Sequence, residues 1–286
     1  MKNTFKKSKS ERIVFGIILA FFCVYAFTLI YAFEWTIVNS FKKESEYFVN
    51  KITAPYVVTL GNYINAFAKL QTKGNNLFSM FFNSFWYAFV GTAISVLVSS
   101  MSAYVVAKYK FIGRKTFYTI AIVIMMLPIV GAIPSQYEIY SKLNIINSPL
   151  YLLVFADGMG FNFLVLFGFF SSLSWEYVEA SFIDGAGHFT TFFRIMLPQA
   201  IGVIMSLYVV AFIGYWNDYM NPILFLESYP TLSSGIYSYQ NDTLQKSVDI
   251  PMLFAGIIMS VIPIMVLFIV GQEKIMSISI GGGIKG

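Results

Sequence analysis

The chain has 286 residues, 57% of them hydrophobic and only 12% charged, with a formal net charge of +5. A soluble domain carries about twice that charged fraction, so the composition excludes one of any size and indicates an integral membrane protein. The single cysteine, Cys23, rules out a disulfide framework within one chain and reads as a packed thiol in an apolar segment.

A bilayer core about 30 Å thick asks for about 20 apolar residues per helix. Six windows meet that demand: Ile13 to Phe33, Phe78 to Ala107, Thr116 to Tyr137, Leu150 to Ser171 with Asp157 inside it, Ile195 to Asn217, and Ile250 to Gln272. The expected fold is therefore all-α with six transmembrane helices. The first window exceeds the apolar stretch of a leader peptide, about 7 to 15 residues, and no small-residue cleavage site follows in "YAFEWTIVNSFKK", so it is expected to stay as a helix. Lys2, Lys6, Lys7, Lys9 and Arg12 precede it, and Lys108, Lys110, Arg114 and Lys115 fill the second loop. The positive-inside rule places both groups in the cytoplasm, and six crossings then put both termini there.

This gives a cytoplasmic N-terminus at 1–12, a first helix and external loop at 13–77, a core of five helices at 78–272 with a cytoplasmic loop at 172–198, and a cytoplasmic tail at 273–286. The outer segments 41–77, 138–149 and 226–249 read as caps or as a docking surface for an external partner. Gly91, Ser95 and Ser99, and Gly256 and Ser260, recur four apart, which lets helices approach closely in lipid; packing within the chain is the expected use. Pro128, Pro134 and Pro263 remove backbone donors, which favours a multihelix bundle with a polar interior.

Glu34 and Asp218 lie at window ends, where interfacial solvation accounts for them, and no window holds a His or Lys with which they or Asp157 would form a proton relay. Asn162, Trp216 and Asn217 are candidates to line a translocation path, with ordinary helix packing as the alternative. "GGGIKG" lacks the spacing and hydroxyl of a nucleotide-binding loop, so the chain is not expected to hydrolyse ATP. His188, the only histidine, has no second His or Cys beside it, and no metal site is expected.

Between the fourth and fifth windows the text is "YVEASFIDGAGHFTTFFRIMLPQ". Ser174 is placed to cap a short helix with Glu176 in its first turn. Glu179, Phe182, Ile183 and Ala186 then share one face, and Asp184-Gly185 with Gly187 ends the helix, since glycine accepts the backbone angles of a helix terminus. Phe189, Phe192, Phe193 and Met196 repeat at helical spacing until Leu197-Pro198. The expected unit is a helix, a turn and a helix on the cytoplasmic face, with an apolar side it cannot cover by itself.

The pattern E-A-x-x-x-D-G-A followed by I-x-L-P, here Glu179, Ala180, Ser181, Asp184, Gly185, Ala186, Ile195, Leu197 and Pro198, resembles the cytoplasmic loop of permease subunits of ABC importers; Ser181 stands where that family usually has a second alanine. "EWTIVNSFK", "NSFWYAF", "AYVVAKYKFIGR", "WNDYMNPILFL" and the tail "ISIGGGIKG" are similar to the carbohydrate branch, the maltose-type second permease (MalG-like). The resemblance implies a type I ABC importer permease fold in which the first loop helix sits in a cleft of a cytoplasmic ATPase. Glu179 and Asp184 would make polar contacts or cap the helix pair, Ala180 and Ser181 would allow close approach, and Gly185 would set the turn. Ala186, Leu197 and Pro198 complete the motif, and Gly281, Gly282, Gly283, Lys285 and Gly286 would add a tail contact.

It also implies a second, different permease, an ATPase dimer carrying ATP and Mg, an extracytoplasmic solute-binding protein, a prokaryotic plasma membrane, no cofactor on this chain and no nucleic acid. The function implied is uptake of a sugar or oligosaccharide by alternating access. Two alternatives stand beside it: another cargo, such as a glycerophosphodiester or small peptide, and an ATP-independent carrier or channel, which would need no docking loop.

Overall fold

A computed structural model describes residues 9–126, 131–245 and 249–281. Helix α1 (Lys9–Ser40) has 32 residues, about 48 Å at 1.5 Å per residue. No part of its apolar window is buried against the rest of the chain, so the side chains of that window are left for lipid or a partner chain. At its far end α2 (Glu44–Val49), α3 (Gly61–Lys69) and a hairpin of β1 (Gln71–Thr72) and β2 (Asn75–Asn76) form an outer layer. Asn62 fastens that layer to α1 by donating to the carbonyls of Ser40 and Lys42, each at 2.7 Å.

Helix α4 (Leu77–Lys108) starts where the Asn76 side chain accepts the Ser79 N–H at 2.9 Å. It is the central strut, with half of its apolar window buried. There follow α5 (Arg114–Met126), α6 (Ala132–Lys142), α7 (Tyr151–Phe155), α8 (Phe161–Ser172), α9 (Glu176–Ile183) and α10 (His188–Thr191), then a π-helical turn at Phe192–Met196. The chain ends with α11 (Leu197–Gln199), α12 (Ile201–Asn217), α13 (Met220–Phe225), α14 (Leu232–Gln245) and α15 (Ile250–Gly281). The small residues pack within the chain: a Cβ added at Gly91 of α4 would lie 2.7 Å from the Tyr215 ring of α12, and one at Gly256 of α15 would lie 2.7 Å from Leu70.

The outer layer covers the C-terminal end of α1 and the N-terminal ends of α4 and α15, where Trp35 meets Phe254 edge to face. It is joined to the 226–231 loop by the Lys73–Glu227 ion pair, and that loop to the one before α7 by Asn147, whose amide bonds the Ser228 hydroxyl and N–H, each at 2.8 Å. The outer segments thus hold one another as a cap. The basic start of α1, the α4–α5 loop and the α8–α12 connection lie at the opposite end.

Six uninterrupted spans are not what the chain forms. Among the described residues three helices are each long and apolar enough to cross a membrane, Lys9–Ser40, Leu77–Lys108 and Ile250–Gln272, or up to five if two bent pairs each count as one. The third window holds α5 and α6, and Gly131 at the start of α6 has a φ of 97°, which continuous helix does not allow; residues 127–130, Pro128 among them, lie outside the described residues. Pro134 is the third residue of α6, where a helix leaves its N–H groups unbonded in any case. The fourth window breaks between α7 and α8, and the fifth begins at Ile201 instead of Ile195, after a 79° bend. Hydropathy averages composition over a window and is blind to the Gly, Pro and Asp positions at which the backbone turns.

A backbone break at membrane depth needs internal partners for its polar groups. At the α7–α8 break Ser99 of α4 donates to the Asp157 carbonyl at 2.6 Å, and the Asp157 carboxylate accepts the Met159 N–H at 3.1 Å.

Candidate functional site

Two features draw the candidate residues together: the bent connection below α8 and α12, and a cavity higher in the bundle. Helix α9 leaves α8 at 74°, and the helical run from His188 to Gln199 meets α12 at 79°. Both segments therefore lie crosswise to the helices they connect. Trp175 occupies the helix-entry position of α9, one residue later than the sequence suggests, while the Ser174 hydroxyl accepts the Glu176 N–H at 3.2 Å.

The end of α9 is closed by two backbone bonds. Ala186 N–H reaches Ser181 O at 2.9 Å and Gly185 N–H reaches Phe182 O at 3.0 Å, with Gly185 at φ 80°. That paired arrangement satisfies carbonyls a helix terminus would leave free, and it needs a left-handed residue at its centre. Asp184 is the helix-closing residue and stays exposed.

Inside the pair Val178, Ser181 and Thr191 are buried. The Ser181 and Thr191 hydroxyls lie 2.7 Å apart, Ser181 also reaches Val178 O at 2.8 Å, and Thr191 reaches Gly187 O at 3.1 Å. Ser181 therefore faces α10 within the chain and is only 2% exposed, so it is not on the outward surface where a close approach was expected of it. Glu179 and Ala180 are exposed, as are Ile183 at 86% and Phe189 at 72%, so an apolar surface is left uncovered with the Glu179 and Asp184 carboxylates exposed beside it. Ahead of Pro198 the helix widens, Leu197 N–H bonding Phe192 O. A proline ring crowds the carbonyl four residues earlier, and the wide turn accommodates it.

His188, set aside in the sequence as a lone histidine, ties this unit to α4. Its Nδ1 lies 2.9 Å from the Tyr109 hydroxyl, and its ring packs edge-on to Tyr109 and Phe182. Lys108 adds a second tie by donating to Leu173 O at 2.5 Å. Both contacts join the crosswise helices to the end of α4. Of the tail residues, Gly281 is the last of α15, and Gly282, Gly283, Lys285 and Gly286 lie outside the described residues.

The cavity, of about 810 Å³, opens among α4, α6, α8 and α12. Asn162 and Asn217 line it, together with Gln136, Tyr215, Asp157 and Asp218, which the sequence reading did not place on the path. Asp218 is held in position by the Tyr87 hydroxyl at 2.7 Å and the Asn221 side-chain amide at 2.8 Å. The sequence reading left Asp218 to interfacial solvation; in the structure it also lines this cavity. Trp216 is not in the cavity. It is 2% exposed, stacks on Phe212 and donates its indole N–H to Ser260 O at 3.1 Å. Adjacent helix positions such as 216 and 217 cannot share a face.

Among the described residues no group of three or more His, Cys, Asp or Glu is placed to hold a metal ion.

The permease SmoH of the sulfoquinovosyl glycerol transport system of Agrobacterium fabrum (strain C58 / ATCC 33970) is 29% identical over 258 residues, covering 88% of this chain and 87% of its own length. AraQ, the permease of the arabinooligosaccharides transport system of Halalkalibacterium halodurans (strain ATCC BAA-125 / DSM 18197 / FERM 7344 / JCM 9153 / C-125), is 29% identical over 287 residues, covering 98% of this chain and all of its own. A crystal structure of a bacterial ABC transporter involved in the import of the acidic polysaccharide alginate superposes with a TM-score of 0.77 at 21% identity, over 94% of this chain and 99% of that one, which fixes the fold as the all-α type I ABC importer permease fold. Residues 95–272 match the family described as binding-protein-dependent transport system inner membrane component, and the chain belongs to that family: a multi-pass permease subunit of the plasma membrane that is not itself an enzyme and works with a separate ATPase and solute-binding protein.

Proposed function

We propose that this chain is the MalG-like half of a heteromeric translocation pathway for a sugar or oligosaccharide, completed by a second, different permease. The observation that carries the reading is the cavity, whose lining joins carboxylates, amides and tyrosines, the groups that exchange hydrogen bonds with hydroxyl-rich cargo. Its lining includes Asp157 and Asp218 and no Lys, Arg or His, which disfavours a phosphate-bearing cargo. The names of the relatives, sulfoquinovosyl glycerol and arabinooligosaccharides, agree on a carbohydrate class.

Six crossings complete the reading, with α5–α6 as the third and α7–α8 as the fourth, so that residues 78–272 form the core and both ends of the chain lie in the cytoplasm. ATP-driven closure of an ATPase dimer against Glu179, Ala180, Asp184, Gly185 and Ala186, with Leu197 and Pro198 at the base of α12, tilts the helices on either side and favours the outward-facing state. The tail residues 281–286 add a contact with the same ATPase. ATP and Mg belong to that partner.

The test is uptake by the whole complex in proteoliposomes with its binding protein. Accumulation of a sugar or oligosaccharide that needs both ATP and the binding protein is expected. Uptake without ATP would return the chain to the carrier or channel class, and uptake restricted to phosphate-bearing solutes would overturn the cargo assignment.

A further inference from the structure

The connection from α4 to α5 reads Lys108-Tyr109-Lys110-Phe111-Ile112-Gly113-Arg114-Lys115, four cations with no acid among them. The two ion pairs found among the described residues, Lys73–Glu227 and Lys142–Glu138, lie elsewhere. Between this connection and the α8–α9 corner opens a second cavity, of about 700 Å³, walled by Lys108, Lys110 and Arg114 on one side and by Trp175 and Phe182 of the coupling unit on the other. Two of the cations are held in place by helix-end carbonyls: Lys108 donates to Leu173 O at 2.5 Å and Arg114 to Ala107 O at 2.9 Å. An ammonium has three donors and a guanidinium five, so most remain for a ligand.

At the tip of the same loop Phe111 and Ile112 stand exposed, Ile112 completely so. The loop begins where the long span α4 ends, on the side of the coupling unit. A free polyanion would satisfy the cations and leave Phe111 and Ile112 in water; an apolar peptide would do the reverse. A group that is anionic at its head and apolar behind it, located at the end of a membrane span, satisfies both.

We propose that this cavity is a binding site for the headgroup of an anionic phospholipid of the cytoplasmic leaflet, with Lys108, Lys110 and Arg114 on the phosphate and Phe111 and Ile112 entering the acyl boundary. Since one wall belongs to the coupling unit and the other to the α4–α5 loop, a bound lipid braces the two against each other. Basic pockets at the cytoplasmic level of span ends recognise such headgroups, and each cation near the surface strengthens the attraction about fivefold.

The experiment uses the complete transporter in nanodiscs, with fluorescence of Trp175 read as the difference between the wild type and a Trp175→Phe blank. Phosphatidylglycerol brominated on its acyl chains is expected to quench Trp175 more strongly than brominated phosphatidylcholine at the same mole fraction. Lys110→Gln is expected to weaken the preference about fivefold and Lys110→Arg to keep it, which separates lost charge from lost folding; soluble glycerol phosphate is expected not to relieve the quenching. Equal quenching by the two lipids, a preference that survives Lys110→Gln, or relief by glycerol phosphate would each overturn the site. So would loss of quenching when the ATPase is present and its return when the ATPase is stripped away, since the cavity would then belong to that partner. The readout is independent of cargo and uptake.

Discussion

Gly185 is the position where a small change should have the largest consequence for coupling. Its φ of 80° is held by the Ala186 N–H to Ser181 O and Gly185 N–H to Phe182 O bonds, and a Cβ built there meets nothing within 4 Å. Any penalty on substitution is therefore conformational and not steric. A left-handed non-glycine residue costs about 1 to 3 kcal/mol, with Asn cheapest and a β-branched residue dearest. The order Gly, Asn, Ala, Val should appear as rising hydrogen exchange at the Gly185 and Ala186 amides, about 5- to 30-fold faster per 1 to 2 kcal/mol. Substrate-stimulated ATPase activity and uptake should fall in the same order while membrane insertion is unchanged. Gly187 supplies the control, because it too has open space around a built Cβ but sits at φ −78°, where alanine is unstrained. Full uptake by Gly185→Val, or equal effects of Gly185→Ala and Gly187→Ala, would refute the role of the turn.

Glu179→Ala should weaken capture of the ATPase far more than Glu176→Ala, because only Glu179 is expected in the docked face; a buried charge pair broken on one side costs about 3 to 5 kcal/mol, and matching pull-downs would show that the face is wrongly assigned. Ser99→Ala should remove the 2.6 Å bond to the Asp157 carbonyl and lower stability by about 1 to 3 kcal/mol, read as a lower melting temperature of the purified complex; an unchanged melting temperature would mean another donor serves that carbonyl. Deleting residues 277–286 should reduce ATPase association or coupling, and assembly and uptake at wild-type level would remove the tail from the interface.

Much of the coupling unit was legible in the sequence because it rests on short-range chemistry. Asp184-Gly185 after a helical stretch has few conformations that end a helix, and the observed left-handed glycine is one of them. The apolar windows likewise indicated membrane residence, since solvation depends on composition and hardly on what a segment packs against. Tertiary structure decided the rest. The Asp157 break depends on whether a neighbour such as Ser99 satisfies the freed backbone. Ser181 turned inward because Thr191 lies opposite it, a relation between two helices that no single helix encodes. Trp216 and Asn217 differ by one position and by everything in environment, one against Ser260 and Phe212 and the other at a cavity. A sequence states the period of a helix but not its rotation about its axis, because that rotation is set by the neighbours it packs on.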